Sequence, residues 1–253
     1  MMIRLVLLHG FCLVAFVNGV VHASSIYEHD FTGSDADPLN GVAVEGGSGA
    51  GTPWEAEAAW FADGHAVVGV DGFDAANAFL PFTPLPNRTY TLSATLTATG
   101  DTFNYMTLGF MNNPTVDTLS DQAGGPWLLK RGQQANFVDD IYSALDSTAN
   151  GVGDLAFHGA FPGATNLAMQ LDTSDPTWTV EFFIDGASVR GPEAIDTVTT
   201  PITHVGISRY VAPITGTAAE FRLSVVPEPS TVALLLLGCV SWVAFSKRST
   251  CER

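Results

Sequence analysis

Tyr90-Thr91-Leu92-Ser93-Ala94-Thr95-Leu96-Thr97-Ala98-Thr99 alternates apolar and hydroxyl side chains without a break. In an extended chain successive side chains point to opposite faces, so Tyr90, Leu92, Ala94, Leu96 and Ala98 share one face and the Thr and Ser hydroxyls share the other. A helix would instead space its apolar residues by three and four. The stretch predicts a strand with one face buried and one face wetted, which is the antiparallel pattern.

The same period recurs on both sides of it. Strands are predicted at Tyr105 to Met111, Trp127 to Lys130, Thr165 to Leu171, Trp178 to Ile184, His204 to Tyr210 and Phe221 to Val225, with Gly, Pro, Asn and Asp clusters between them. Asp185-Gly186, set between Trp178 to Ile184 and Ala187 to Val189, is a hairpin signal, because Gly tolerates the positive φ of a tight turn. The body shows no sustained helical stripe, and only Asp139 to Leu145 suggests a helical turn. Many short strands with turn signals predict an all-β antiparallel sandwich, a jelly roll, folded as one domain.

The 253 residues carry 26 Asp and Glu against 10 Lys and Arg, a formal charge of -16. That balance argues against nucleic acid as a partner, because neutralising phosphates needs a basic face. An apolar share of 46% is enough for a core and argues against wholesale disorder.

The two ends differ from the body. Met1 to Arg4 is a short segment with one cation, Leu5 to Val21 is almost continuously apolar, and Val21-His22-Ala23 offers small residues before Ser24. This predicts a signal peptide over residues 1–23, removed by signal peptidase. A retained anchor is the alternative; lipidation at Cys12 is disfavoured, because His9-Gly10-Phe11 lacks the small residue such sites need before the cysteine. At the other end Thr231 to Phe245 is apolar except for Ser241, and Lys247, Arg248 and Arg253 follow. Fifteen residues at 1.5 Å each make a helix of about 23 Å, a short span without a polar face that predicts one membrane helix over about 231–245. The basic tail, 247–253, would then stay cytoplasmic and leave the body outside.

Before that span stands Val226-Pro227-Glu228-Pro229-Ser230-Thr231, where two prolines enforce a stiff, extended strip. Residues 226–253 resemble the PEP-CTERM sorting signal, in which a Pro-Glu-Pro motif, an apolar helix and a basic tail end an exported bacterial protein. The resemblance implies a sorting motif at Pro227, Glu228 and Pro229, membrane-end basic residues at Lys247 and Arg248, and exosortase as a partner. Anchoring in the inner membrane would precede delivery to the cell surface or an exopolysaccharide matrix. The chain departs from the pattern in its short span and in Cys251 and Glu252.

The body, 24–225, contains no cysteine, since Cys12, Cys239 and Cys251 lie in the terminal segments. A core without disulfides must hold it, and about 200 residues suffice for that. With the terminal charges set aside, it carries 24 acids against six bases, a net charge of -18 that favours solubility. Ile26 to Phe31 opens it, Trp178 to Gly186 reads as a strand entering a hairpin, and Phe221-Arg222-Leu223-Ser224-Val225 closes it. These blocks are similar to the concanavalin A-like, laminin-G-like jelly roll, which implies that the first and last strands pair. An unrelated two-sheet sandwich is the alternative.

Catalytic signals are sparse. Retaining β-glucan hydrolysis needs two carboxylates about 5.5 Å apart, and enzymes on this jelly roll present them from a Glu-x-Asp-x-x-Glu strand. No such run occurs. Glu55-Ala56-Glu57 has the two-residue spacing but follows Gly51-Thr52-Pro53 and reads as a solvated face; Glu181 stands alone. Asp35-Ala36-Asp37-Pro38-Leu39-Asn40-Gly41 has calcium-loop spacing, yet Leu39 falls where a ligand belongs and Gly46 at the twelfth place. A Ca2+ site of low affinity from Asp35, Asp37, Asp139 or Asp140 is the metal option, with no other cofactor expected. His29, His65, His158 and His204 form no zinc motif. Gly46 to Gly51 is neither a nucleophile elbow nor a phosphate loop and reads as a flexible loop.

Aromatics carry the remaining signal, because exposed Trp and Tyr stack against sugar rings. Trp178, in step with Val180, Phe182 and Ile184, belongs to the core. Trp54 and Trp60 flank Glu55 to Ala59 and are the candidates for an exposed glycan-stacking pair. The reading is therefore an exported, surface-sorted, non-enzymatic sandwich that binds glycan or matrix. A ligand-free structural surface protein and a glycoside hydrolase are the alternatives.

Overall fold

The computed structural model describes residues 23–31, 37–57, 60–62, 67–69, 75–99, 105–112, 125–132, 140–145, 155–195, 201–210 and 215–227. Among them every regular element is a strand. In chain order these are β1 (Ser24–His29), β2 (Asp37–Pro38), β3 (Glu55–Ala56), β4 (Trp60–Ala62), β5 (Val67–Gly69) and β6 (Ala75–Pro81). They continue with β7 (Arg88–Thr99), β8 (Tyr105–Met111), β9 (Trp127–Arg131), β10 (Asp140–Ala144) and β11 (Ala156–Ala160). The last are β12 (Thr165–Asp172), β13 (Thr179–Ile184), β14 (Ala187–Ala194), β15 (His204–Tyr210) and β16 (Thr215–Pro227).

Two antiparallel sheets result. One has nine strands in the order β14-β13-β12-β7-β16-β5-β4-β2, with β1 also paired to β16; the other has seven, in the order β11-β10-β9-β8-β15-β6-β3. Crossovers between the sheets make neighbours of strands distant in sequence, which is the jelly-roll arrangement. The first and last strands pair as expected, from Ser24 opposite Val225 to His29 opposite Phe221. Asp185 and Gly186 turn the hairpin between β13 and β14 with φ of 48° and 79°, the left-handed geometry that the Asp-Gly pair signals.

The core lies between the sheets. From the nine-stranded sheet come Leu92, Leu96, Leu167, Met169, Val180, Phe182 and Leu223, and from the seven-stranded sheet Leu80, Met106, Leu108, Phe110, Leu128, Val205 and Ile207, all buried. Full burial of each such side chain contributes about 1.5–3 kcal/mol, which explains how a body without disulfides holds together. β7 alternates as its sequence predicts: Tyr90, Leu92, Ala94, Leu96 and Ala98 are buried, and Thr91, Ser93, Thr95 and Thr97 are only half-buried. Trp178 packs against the same core.

Three local expectations need correction. The suggested helical turn at Asp139 to Leu145 is instead strand β10, hydrogen-bonded to β9 and β11, because two ladders outweigh a single isolated turn. β8 is buried along its whole length, so the outer face of the seven-stranded sheet is covered at its centre. There Tyr105, Trp127, Leu129 and Ala144 form a second, smaller cluster with Tyr142 packed against it. The loop at Gly46 to Gly51 is pinned to β1 by backbone bonds, Gly46 N to Glu28 O at 2.9 Å and Gly49 N to Ile26 O at 2.8 Å.

β16 also runs two residues past its predicted end, with Val226 opposite Thr89 and Pro227 opposite Arg88. A proline is tolerated there because a strand end makes the smallest demand on its missing N–H. Residues 1–22 of the expected signal peptide (1–23), Glu228, Pro229, Lys247, Arg248 and the segment 231–245 lie outside the described residues. Among the described residues no helix is long and apolar enough to cross a membrane.

Candidate functional site

Strand register brings six residues into one row across the seven-stranded sheet. Asn77 stands opposite Ser208, Ser208 opposite Thr107, Thr107 opposite Leu129, Leu129 opposite Tyr142, and Tyr142 opposite Phe157. Leu129 and Tyr142 belong to the outer cluster, so the row lies on the face turned away from the main core. Its β6 end is polar and buried, with Thr107 and Ser208 hydrogen-bonded through their hydroxyls. Its β11 end is aromatic and open. Phe157 is 60% exposed, one of three large exposed apolar side chains among the described residues.

Phe157 does not stand alone. Its ring centroid is 5.2 Å from that of half-buried Tyr142, at an interplanar angle of 43°. The Arg131 guanidinium lies over the Tyr142 ring, 4.7 Å from its centroid, and the Tyr142 hydroxyl donates to Asp140 Oδ2 at 3.4 Å. Burial pushes the Tyr142 phenol above its ordinary value; Arg131 opposes that shift and Asp140 adds to it. The phenol is thus neutral at physiological pH and able to donate. Two aromatic rings, with the cation over one face of Tyr142 and the carboxylate at its hydroxyl, form a platform whose open face, chiefly that of Phe157, can stack on an apolar ring face while the charged groups hydrogen-bond its hydroxyls.

The core-facing side of the same two strands holds this platform in place. Ser143, next to Tyr142, is fully buried, and its Oγ lies 2.7 Å from Nε2 of His158, next to Phe157. Arg190 reaches across from β14, donating to Ser143 O at 3.2 Å and Oγ at 3.4 Å. The same guanidinium forks onto Glu193, with Nε to Oε1 at 2.9 Å and Nη2 to Oε2 at 3.1 Å. Ser143 Oγ and His158 Nε2 share one hydrogen bond, whose donor is set by the imidazole tautomer. Burial, and secondarily Arg190, hold His158 below its ordinary pKa and favour the neutral imidazole. Ser143 has no exposed surface, so this Ser–His pair joins β10 to β11 within one sheet without access to a substrate carbonyl, while Arg190 from β14 ties that sheet to the other.

The residues singled out from sequence are placed differently. Trp54 and Trp60, the candidate exposed pair, are 1% and 0% exposed and belong to the main core. The correction has a packing reason: Trp54 stacks edge-on against Phe221, with centroids 4.9 Å apart, and its indole N–H donates to His29 Nδ1 at 3.2 Å. Glu55 and Glu57 are exposed, but β3 is only two residues long and Glu57 falls beyond it, where its Oε2 accepts from Asn77 N at 2.8 Å. Glu181 is half-buried and accepts from Ser188 Oγ at 2.5 Å.

Of the acidic calcium candidates, Asp35 and Asp139 lie outside the described residues, Asp37 is described only through its backbone in β2, and Asp140 sits beside Tyr142. Among the described residues no three His, Cys, Asp or Glu side chains are grouped to hold a metal. Glu55 on β3 and Asp140 on β10 are five strand spacings apart, about 24 Å. Glycosidases need roughly 5–10 Å between their carboxylates.

No protein-family model matches this chain, and no curated protein matches it. Solved structures do. The endo-1,3-beta-glucanase from Streptomyces sioyaensis superposes with a TM-score of 0.58 at 12% identity, over 81% of this chain and 96% of that one. The chain has the concanavalin A-like jelly-roll fold. The Emp46p carbohydrate recognition domain, in its metal-free form, gives a TM-score of 0.51 at 12% identity over 67% of this chain and 87% of that one. The Emp47p carbohydrate recognition domain gives 0.50 at 12% identity over 81% and 96%. At such identity the likeness extends to the fold alone, and the chemistry must be argued from this chain's own residues.

Sequence reasoning missed Tyr142 and Phe157. Each is an ordinary aromatic on a short strand, and only the β10–β11 ladder brings them together. The one available signal was Ala156-Phe157-His158, a phenylalanine in an otherwise small and polar stretch.

Proposed function

We propose that this chain is an exported, non-catalytic glycan-binding module, with Tyr142 and Phe157 as its stacking surface and Arg131 and Asp140 as hydrogen-bonding partners. The observation that carries the reading is the 60% exposure of Phe157 beside a neutral tyrosine on a jelly-roll sheet. The fold's likeness to carbohydrate recognition domains supports it. The PEP-CTERM resemblance supports the further reading that signal peptidase and exosortase process the ends and that the ligand is a surface or matrix polysaccharide. The calcium option belongs to this reading only through residues Asp35, Asp37, Asp139 and Asp140.

Retention of the full-length protein on immobilised polysaccharides, with and without calcium, tests the proposal. Phe157→Ala and Tyr142→Ala should each weaken retention about tenfold or more, as loss of a central aromatic contact does. Absence of retention on every polysaccharide would favour a ligand-free structural protein. The likeness to a glucanase keeps hydrolysis as the rival reading: β-glucan turnover lost on Glu55→Gln or Glu57→Gln would replace binding by catalysis. Mass measurement of protein recovered from the host, with termini at Ser24 and near Pro227, tests the processing.

A further inference from the structure

A second site lies on the opposite sheet, where β16 changes partners. Its edge pairs with β5 at Thr217 and Ala218 and with β1 from Phe221 onward, so neither strand covers it between. At this junction Glu220 takes a φ of +54° and a bulge interrupts the β7–β16 ladder between Ala219 and Arg222. A bulge re-aims side chains and opens the ladder locally. The result is a cleft of about 400 Å³ lined by Glu28, His29, Asp30, Glu45, Gly46, Glu220, Phe221 and Arg222. That volume is within the range of about 300–1,000 Å³ typical of small-molecule sites.

The decisive residue is His29, only 3% exposed. The Trp54 indole donates to its Nδ1 at 3.2 Å, and an indole nitrogen can only donate. Nδ1 therefore keeps its lone pair, and the neutral imidazole carries its proton on Nε2. That Nε2–H is a buried donor with no hydrogen-bond partner; Glu45 Oε1 stands 3.8 Å away. A buried donor left unsatisfied is costly, so a ligand that accepts from it gains affinity. A metal ion is disfavoured at Nε2, because it requires a lone pair there and would turn Nδ1–H against the Trp54 N–H. An amine is disfavoured as well, since an ammonium group has no lone pair to offer.

We infer that this cleft binds a neutral polyhydroxylated ligand, a saccharide unit whose hydroxyl accepts from His29 Nε2 and donates to the carboxylates around it. A hydroxyl is both donor and acceptor, which matches one buried N–H facing acidic oxygens. Three of the four carboxylates are already held in position: Glu220 accepts from Thr95 Oγ1 at 2.9 Å, and Glu28 pairs with Arg222. Glu45 also accepts from Asp30 N at 3.1 Å through Oε2. The site shares no residue with the Tyr142–Phe157 platform and stands whether or not that platform binds anything.

The test uses the full-length chain and ligand-observed NMR with methyl α-mannoside, methyl α-glucoside and methyl β-galactoside as probes. In Phe157→Ala protein, which lacks the platform's exposed ring, at least one glycoside should still bind saturably, and adding Glu45→Gln should weaken that binding tenfold or more. Absence of saturable binding by all three would overturn the inference. So would binding that survives Glu45→Gln but is lost on Phe157→Ala, which would assign it to the platform. Displacement of the glycoside by calcium chloride or spermidine would also overturn it, by showing that the cleft holds a cation.

Discussion

Replacing Arg190 by alanine should detach one side of the sandwich. The guanidinium forks onto Glu193 and donates twice to Ser143, and its side chain is 9% exposed, while that of Glu193 is 42% exposed. A fully buried pair broken at one partner costs about 3–5 kcal/mol and an exposed pair about 0–1, so a half-buried fork should fall between them. Adding the contacts to the buried strand β10 puts the expected loss at about 2–3 kcal/mol. For a domain of this size that corresponds to a fall in Tm of about 4–12 °C. Urea and thermal denaturation of the full-length protein would measure it, and amide exchange should speed up most in β10 and β11. Glu193→Gln should cost less, because Arg190 keeps its bonds to Ser143. A loss under about 0.5 kcal/mol for Arg190→Ala, or exchange unchanged in β10 and β11, would refute the idea that this residue ties the sheets together.

Acid should weaken the fold through its histidines. Burial is the largest cause holding His29, His158 and His204 below their ordinary pKa, so the unfolded chain takes up protons first as pH falls below about 6.5. Stability should therefore be complete above that value and decline below it, by at most about 1.4 kcal/mol per pH unit for buried His29. Denaturation at pH 7, 6 and 5 should show a shallower decline in His158→Gln; identical slopes would contradict the assignment. Gly206→Ala should destabilise by at least about 1–3 kcal/mol, because its new Cβ would lie 2.2 Å from the Ala78 carbonyl oxygen, which is backbone and cannot step aside. Trp54→Phe should cost about 1–3 kcal/mol by leaving His29 Nδ1 without a donor, as measured in urea. In the native protein Trp54 and Trp60 should resist acrylamide quenching, and ready quenching of either would return it to the surface.

Much of the fold was legible in the chain. Period-two patterning and the turn residues between runs predicted β7, β8, β9, β12, β13, β15 and the closing strand; at β7, β12 and β13 inward and outward residues differ in type because the sheet has one wet face, whereas β8 is buried on both. Asp185-Gly186 marked its hairpin through backbone chemistry alone. Strands as short as β2, β3, β4 and β5 left no such trace, since two or three residues contain no period to read. β10 was misread for a related reason: Asp-Ile-Tyr-Ser-Ala suits a helical turn locally, and only its two neighbouring ladders decide otherwise.

The sites were less legible. Trp54 and Trp60 lie among Gly, Pro and Glu, a composition that reads as surface, and yet the segment folds back so that both rings enter the core.

Sequence by itself determined the two-faced strands, the acidic, cysteine-free body and the sorting-signal resemblance at its end, because each is a property of neighbouring residues. The tertiary structure alone decided which aromatics meet solvent and which carboxylates surround His29. Phe157 meets Tyr142 through one cross-strand ladder, and Glu220 meets Glu28 only because the first and last strands pair. Exposure and convergence depend on the whole chain's packing, and no local pattern encodes them.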